Sequence, residues 1–471
     1  MQINKTKELE TKGIGALLLA YAIPSVISQI ISSVYNICDR IFIGQGVGAL
    51  AIAGLAITMP IMNIIHAFGA LIGVGAGARM SIVLGKKDNN WAENILGNSV
   101  IFTIILSGTV MLFSYLFLDK ILVLFGATEA TVSYAREYMV IVLPGMFLTT
   151  MAFNLTSLMR TSGYPLKSMF TLGGGAVLNI ILDALFIFGF DLGIAGAAWA
   201  TTISMAVTSL LSILHFMRKD SFIRFKRHGF KPKGYIFKNI IMIGMSPFLM
   251  NVGAAGVVAI LNSQLIRYGG DLAVGAYGIA NSYMNLIVLL ILGVCMGMQV
   301  IAGYNYGAGH PDRLKKVFSL TMLVCVSIGM LSSIFGCSMP RLISKAFTND
   351  NTLLDILEVG LPLLSVMSPL IAFTIVNSNF FQSIDKPWIA IITSLSRQVI
   401  FLIPLMFVVP FVFENIGFKG LNGVFAACTL SDVFGAALAF VLLMTQRKVF
   451  KVKLSDPEKL DVKLNVNFYN N

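Results

Sequence analysis

Charge is scarce in this sequence. Asp, Glu, Lys and Arg together make up 12% of its 471 residues, about half the roughly 25% of a soluble globular domain. That excludes a set of ordinary soluble domains and an intrinsically disordered chain. Histidine occurs only four times, and no Ser–His–Asp or Cys–His arrangement can be assembled, which argues against an integral-membrane enzyme. The five cysteines, Cys38, Cys295, Cys325, Cys337 and Cys428, all sit in apolar stretches. None has metal-ligand spacing, and nothing suggests a disulfide framework. A GxxxxGK[ST] phosphate loop is missing, so there is no sign of an ATP-driven motor. In place of these stand 56% hydrophobic residues and a mean hydropathy of +0.83. The net charge of +12 would suggest a nucleic-acid partner in a soluble protein. In so apolar a chain it marks membrane topology instead.

A bilayer-spanning helix needs about 20 apolar residues. Twelve segments qualify: 15–43, 49–84, 94–118, 138–159, 168–189, 194–217, 239–266, 272–305, 317–339, 359–382, 388–413 and 420–446. Pro24, Pro60, Pro144, Pro247, Pro362, Pro369 and Pro404 fall inside them, as membrane helices allow when neighbours satisfy the freed backbone groups. With both termini cytoplasmic, 26 of the 34 basic residues lie inside, 7 lie outside and Arg397 lies within a span. This is the expected bias. The predicted organisation is a six-helix bundle over 1–217, a basic cytoplasmic linker over 218–238, a second bundle over 239–446 and a cytoplasmic tail over 447–471.

The halves repeat. Ala22-Ile23-Pro24 matches Met245-Ser246-Pro247, Leu50-Ala51-Ile52 matches Leu272-Ala273-Val274, and Leu71-Ile72-Gly73-Val74 matches Ile291-Leu292-Gly293-Val294. Gly85 pairs with Gly307 and Pro165 with Pro387. Six spans per repeat give both halves the same orientation, related by an axis along the membrane normal. Two such bundles enclose a cleft, the architecture of a secondary transporter working by alternating access.

Ionisable residues at membrane depth are costly and therefore candidates for function. Asp183 lies about 9 Å from the outer end of span five, Thr201 about 10 Å from that of span six and Asp39 roughly 6 Å from that of span one, at 1.5 Å per residue. Asn179 precedes Asp183 by four residues, on the same helical face. Asp39, Asn179, Asp183 and Thr201 can therefore meet at one depth. Two carboxylates, an amide oxygen and a hydroxyl suit Na⁺, and two close carboxylates can also exchange a proton. The competing reading of Asp39 is an interfacial pair with Arg40. Arg397 and Asp432, on successive antiparallel spans, are expected to form a structural ion pair. Asn36, Met59, Met62, Asn154, Asn281, Tyr283, Asn285 and Gln299 are candidate lining residues of a substrate cavity. His66 is expected to be a packing or cavity histidine. Gly73-Val74-Gly75-Ala76-Gly77 sits inside a span without a preceding strand, so it is not a dinucleotide fingerprint.

These features resemble the multidrug and toxic compound extrusion (MATE) family over residues 10–450. The resemblance rests on the parallel 6+6 repeat, Pro24 and Pro247, the Gly-rich second and eighth spans, Leu178-Asn179-Ile180-Ile181-Leu182-Asp183 and Gly193-Ile194-Ala195-Gly196-Ala197-Ala198. It implies a Na⁺- or H⁺-coupled antiporter that exports amphipathic, often cationic drugs. In one branch of the family a cation site in the first lobe corresponds to Asp39, Asn179, Asp183, Ala197 and Thr201 here, with Ala197 giving its backbone carbonyl. Acids used by another branch in the second lobe are missing: the repeat partner of Asp39 is Asn262, and span ten, with Phe373, Asn377 and Phe380, has no acid. The expectations are an all-α integral membrane protein in a bacterial-type plasma membrane and a monomer without cofactor. The lipid bilayer and a small organic cation are the expected partners, and nucleic acid is not. A lipid-linked precursor flippase of the same superfamily is the alternative. Its strongly cationic cavity does not fit a sequence whose one deep basic residue is Arg397.

Overall fold

The computed structural model describes residues 7–450, and all of the regular structure in that range is helical. In chain order the helices of the first half are α1 (Lys7–Thr11), α2 (Ile14–Gly46), α3 (Ala49–Gly85), α4 (Asn89–Leu116), α5 (Leu118–Leu124), α6 (Val132–Thr161), α7 (Pro165–Ala184) and α8 (Gly193–Met217). The second half holds α9 (Gly234–Gly307), α10 (Pro311–Ser338), α11 (Pro340–Lys345), α12 (Asn351–Ser365), α13 (Ser368–Ser383), α14 (Pro387–Leu395), α15 (Leu402–Asn415) and α16 (Gly420–Thr445). Short π segments, Leu185–Gly189 and Ser396–Phe401, extend α7 and join α14 to α15.

Ten of these runs are long and apolar enough to cross a membrane, and α12 with α13 makes an eleventh, bent by 43°. The 74-residue α9 holds two spans, because Gly270 at φ 66° and ψ −167° interrupts it. The total is the twelve that the sequence predicts. The bend between α12 and α13 has a local cause. Pro362 and Pro369 flank it, and each lacks the N–H that a continuous helix needs.

Close backbone packing at glycine joins the repeats. A Cβ on Gly85 would collide with the Tyr304 carbonyl, and one on Gly307 with the Ile82 carbonyl. Ile82 and Tyr304 stand in the same repeat relation as Gly85 and Gly307, so the two contacts are symmetry mates. Around them α3 and α9 share one apolar core, with Leu71, Ile72 and Ile82 meeting Ile291, Val294 and Ile301. Away from this end the core divides. Ile43, Leu55, Leu143 and Ile194 belong to the first lobe, and Leu265, Ala273, Leu361 and Val424 to the second. The lobes therefore join at one end and part at the other, leaving a cleft between them.

Both ends of the described chain lie at the joined end. Arg313 Nη2 donates to the carbonyls of Leu9 and Lys12 at 2.8 Å each, and Phe450 stacks on Phe380. The Arg79–Asp385 ion pair, 2.7 Å long, crosses between the lobes at the same end. Most of the predicted tail, residues 451–471, lies outside the described residues.

The basic stretch between the lobes is strapped to α4. Asn98 Nδ2 donates to the carbonyls of Gly229 (2.9 Å) and Lys231 (3.0 Å), and its Oδ1 accepts from the Lys233 N–H at 2.7 Å. Buried Glu93 takes Lys226 at 3.1 Å and His228 at 3.4 Å. Asn98→Ala would orphan the Lys233 N–H and two carbonyls, at about 2 kcal/mol or more. The expected outcome is a lower unfolding midpoint in detergent and faster limited proteolysis between residues 218 and 233.

Candidate functional site

Four helices of the first lobe bring polar groups to one buried point. α2 carries Asp39, α7 carries Asn179 and Asp183, and α8 carries Ala197 and Thr201. α6 adds Tyr138. Asn179, Asp183 and Ala197 are fully buried, and Asp39 is nearly so. Ile43, Met139, Val142 and Ile187 belong to the same buried apolar cluster as Ala197.

The amide of Asn179 ties α7 to α8. Oriented to satisfy both of its ends, it donates from Nδ2 to Asp183 Oδ2 at 3.1 Å and accepts at Oδ1 from the Thr201 N–H at 3.2 Å. The amide atom facing α8 also lies 3.3 Å from Thr201 Oγ1. In an unbroken α-helix the Thr201 N–H would pair with the Ala197 carbonyl. α8 runs unbroken through this turn, so the Asn179 amide oxygen shares that N–H with the helix. Immediately after Asp183 and Ala184 the backbone widens into the π segment Leu185–Gly189, a feature frequent at functional sites.

Asp39 Oδ1 and Asp183 Oδ1 are both buried without a hydrogen-bond partner. Buried polar atoms are nearly always satisfied, and a buried unpaired charge is strongly unfavourable. The two carboxylates are near enough to repel each other electrostatically. Arg40 lies within electrostatic range of Asp39 but forms no ion pair with it among the described residues; it is exposed and places Nη2 3.4 Å from Met59 Sδ. The geometry is that of a site short of positive charge.

Two tyrosines complete the surroundings. Tyr35 and Tyr138 lie within electrostatic range of both carboxylates. The sequence carries a signal for Tyr35, which precedes Asp39 by four residues and shares its face. For Tyr138, at the start of a different span, no local signal exists.

The candidate cavity residues divide. Asn36, Asn281 and Asn285 are exposed, and so is His66. At membrane depth an exposed polar side chain needs a wet surface. Met59 and Met62 are half-buried. Asn154 is placed elsewhere. It is fully buried inside the first lobe, where Nδ2 bridges to Ser99 Oγ at 3.2 Å and Thr103 Oγ1 at 3.1 Å. Its expected cavity role is therefore corrected to a bond between α6 and α4. Gln299 is also buried, and the Tyr283 hydroxyl donates to the Ser332 carbonyl at 2.8 Å within the second lobe. There, Arg397 Nη1 lies 3.2 Å from Asp432 Oδ1. Among the described residues, no group of three or more His, Cys, Asp or Glu side chains could hold a metal ion.

The repeat decides the family. The MatE family model matches residues 24–185 and again residues 247–408, the same two halves that the internal repeat pairs. The chain belongs to the MatE family. It is a transporter by family and fold. Among its relatives is "Multidrug export protein MepA" of Staphylococcus saprophyticus, 27% identical over 432 residues, or 91% of this chain and 93% of the relative. The protein of that name from Staphylococcus aureus is 28% identical over 446 residues, 93% and 95% of the two chains. A solved MATE in complex with MaD3S is 25% identical, with a TM-score of 0.87 over 94% of this chain and 99% of that one. A structure described as the outward-facing conformation of a multidrug resistance MATE family transporter shares the fold. It has a TM-score of 0.88 at 24% identity and covers 96% of this chain and 100% of that one.

Proposed function

We propose that this MatE-family protein is a cation-coupled multidrug exporter of the plasma membrane. In this reading it acts as a monomer with both termini in the cytoplasm and removes amphipathic, often cationic compounds by antiport. The observation that carries the coupling is the pair of buried carboxylates, Asp39 and Asp183, each with an unpartnered oxygen. A Na⁺ ion or a proton would meet that deficit, and the Asn179 amide, the Thr201 hydroxyl and the Ala197 carbonyl would complete an oxygen shell for Na⁺. Oxygen ligands of this kind suit hard cations. Arg397 and Asp432 serve as a structural ion pair in the second lobe.

Transport then follows from differential affinity. A ligand shifts a conformational equilibrium only by binding one state better. The lobes are here closed at the end bearing the termini and parted at the other, so substrate held in the cleft would leave through the open end. Cation binding at Asp39 and Asp183, in the α2–α7–α8 junction, would favour the opposite state and return the cleft to the cytoplasm.

The test is transport of a fluorescent organic cation into proteoliposomes, with Na⁺ and pH gradients imposed one at a time. One gradient should drive accumulation and the other should not. Equal transport with neither gradient would overturn the antiport reading.

A further inference from the structure

A second cavity lies far from the carboxylates, at the end bearing the termini. It encloses about 810 Å³ between the start of α2, the start of α7 and the end of α8. Its floor is apolar and aromatic, with Leu17 and Tyr21 buried. Its rim carries Lys12, Lys167 and Lys219, together with Glu8 and Asp220. The two acids are already engaged: Glu8 pairs with Lys12 at 2.9 Å, and Asp220 pairs with Arg218 at 3.1 Å. Lys167 and Lys219 have no ion-pair partner among the described residues. Lys167 lies over the Tyr164 ring, 5.1 Å from its centroid, and within electrostatic range of Asp220 without forming an ion pair with it. The cavity therefore keeps a net positive charge.

Donors other than lysine also face it. Tyr21 is nineteen-twentieths buried, lines the cavity, and its hydroxyl has no hydrogen-bond partner among the described residues. The first turn of α7, from Pro165 to Lys167, borders the same space. The Leu166 and Lys167 N–H groups there have no carbonyl within the helix to bond, and the helix dipole favours an anion at that end. The fold does not require these donors. In the second repeat the position of Tyr21 is Gly244 and that of Lys167 is Ile389.

The surroundings say which anion. Leu166 lines the cavity, and Leu19 and Ile23 on α2 and Phe170 on α7 are further exposed large apolar side chains on the helices that border it. They continue along two packed helices into the membrane-spanning part of the lobe. A free phosphate would have no use for that surface, and an acyl chain would.

We propose that this cavity binds the headgroup of an anionic glycerophospholipid, with its phosphate between Lys167, Lys219, Tyr21 and the first turn of α7 and an acyl chain along α2 and α7. A lysine near an anionic lipid surface is worth about a fivefold gain in affinity.

The full chain, purified and placed in nanodiscs, tests this with spin-labelled phosphatidylglycerol and phosphatidylcholine. The wild type is expected to prefer phosphatidylglycerol by about twenty-fivefold, and the Lys167→Gln/Lys219→Gln variant should lose most of that preference. Tyr21→Phe, which removes one donor from a retained ring, should weaken it by a smaller factor. The two lysines are exposed, so equal unfolding midpoints in phosphatidylcholine would show that the variant folds. An unchanged preference in the double variant would overturn the proposal. Displacement of the labelled lipid by millimolar inorganic phosphate would overturn it too, by marking a site for the free anion.

Discussion

Asp183→Asn is expected to abolish gradient-driven efflux while leaving the folded protein at least as stable as the wild type. The two effects separate because the substitution keeps the shape of the side chain and removes only its charge. Asp183 is fully buried, and its Oδ1 has no partner. Replacing an uncompensated buried charge by a neutral amide costs the fold nothing. Transport is different. Without the carboxylate, the cation loses its preference for one state of the lobes, and the drop should be roughly tenfold or more, the scale of ordinary site-to-site coupling. Asp39→Asn is expected to behave alike. Uptake into proteoliposomes measures the first effect and the unfolding midpoint in detergent the second. The coupling cation should also raise the wild-type midpoint by mass action and leave that of Asp183→Asn unmoved. Full efflux by either variant at wild-type expression would remove the carboxylates from the mechanism.

Much of this architecture is legible in the sequence because the bilayer makes it so. Twelve apolar runs of spanning length remain twelve wherever their ends are drawn. Composition alone separates spans seven and eight between residues 266 and 272, the stretch in which Gly270 interrupts α9. The four-residue spacing of Asn179 and Asp183 likewise makes them neighbours on any helix. What stays hidden depends on contacts distant in the chain. Asn154 is polar and mid-span, so it reads as a cavity residue. Only its bonds to Ser99 and Thr103, 55 and 51 residues away, show that it joins two helices of one lobe. The docking of the basic stretch on Asn98 is hidden for the same reason. The short helices α1, α5 and α11, with 5, 7 and 6 residues, are too brief to show a period. Span ten, predicted over 359–382, begins a turn or more earlier because α12 starts at Asn351 and bends. The polar residues of that first turn do not read as membrane.

Asp385→Gly is expected to open the joined end of the lobes. Asp385 sits in the turn before α14 with φ at 59°, and its repeat partner Gly163 sits at φ 97°. The turn thus demands a left-handed residue in both repeats. The first repeat meets the demand with glycine, which adopts it freely. The second uses aspartate, a conformation that costs about 1 kcal/mol or more. The return for that strain is a carboxylate 2.7 Å from Arg79 of the other lobe, in a contact where the arginine side chain is 7% exposed and the aspartate 19%. Glycine would relieve the strain and keep the turn, so folding is spared. Arg79 would lose that carboxylate in the closed contact yet could still reach water when the lobes part. Breaking a buried pair costs about 3–5 kcal/mol. Discounted for the partial exposure of Asp385, a shift of about 2 kcal/mol remains, roughly thirtyfold toward separation at this end. Spin labels on Lys86 and Lys315, on α3's exit and α10, should report a longer distance population in Asp385→Gly than in the wild type. Asp385→Asn, which keeps a hydrogen-bond acceptor for the guanidinium, should fall between the two. An identical distance distribution in all three proteins would show that the ion pair merely accompanies closure and that the glycine contacts at Gly85 and Gly307 hold the end shut without it.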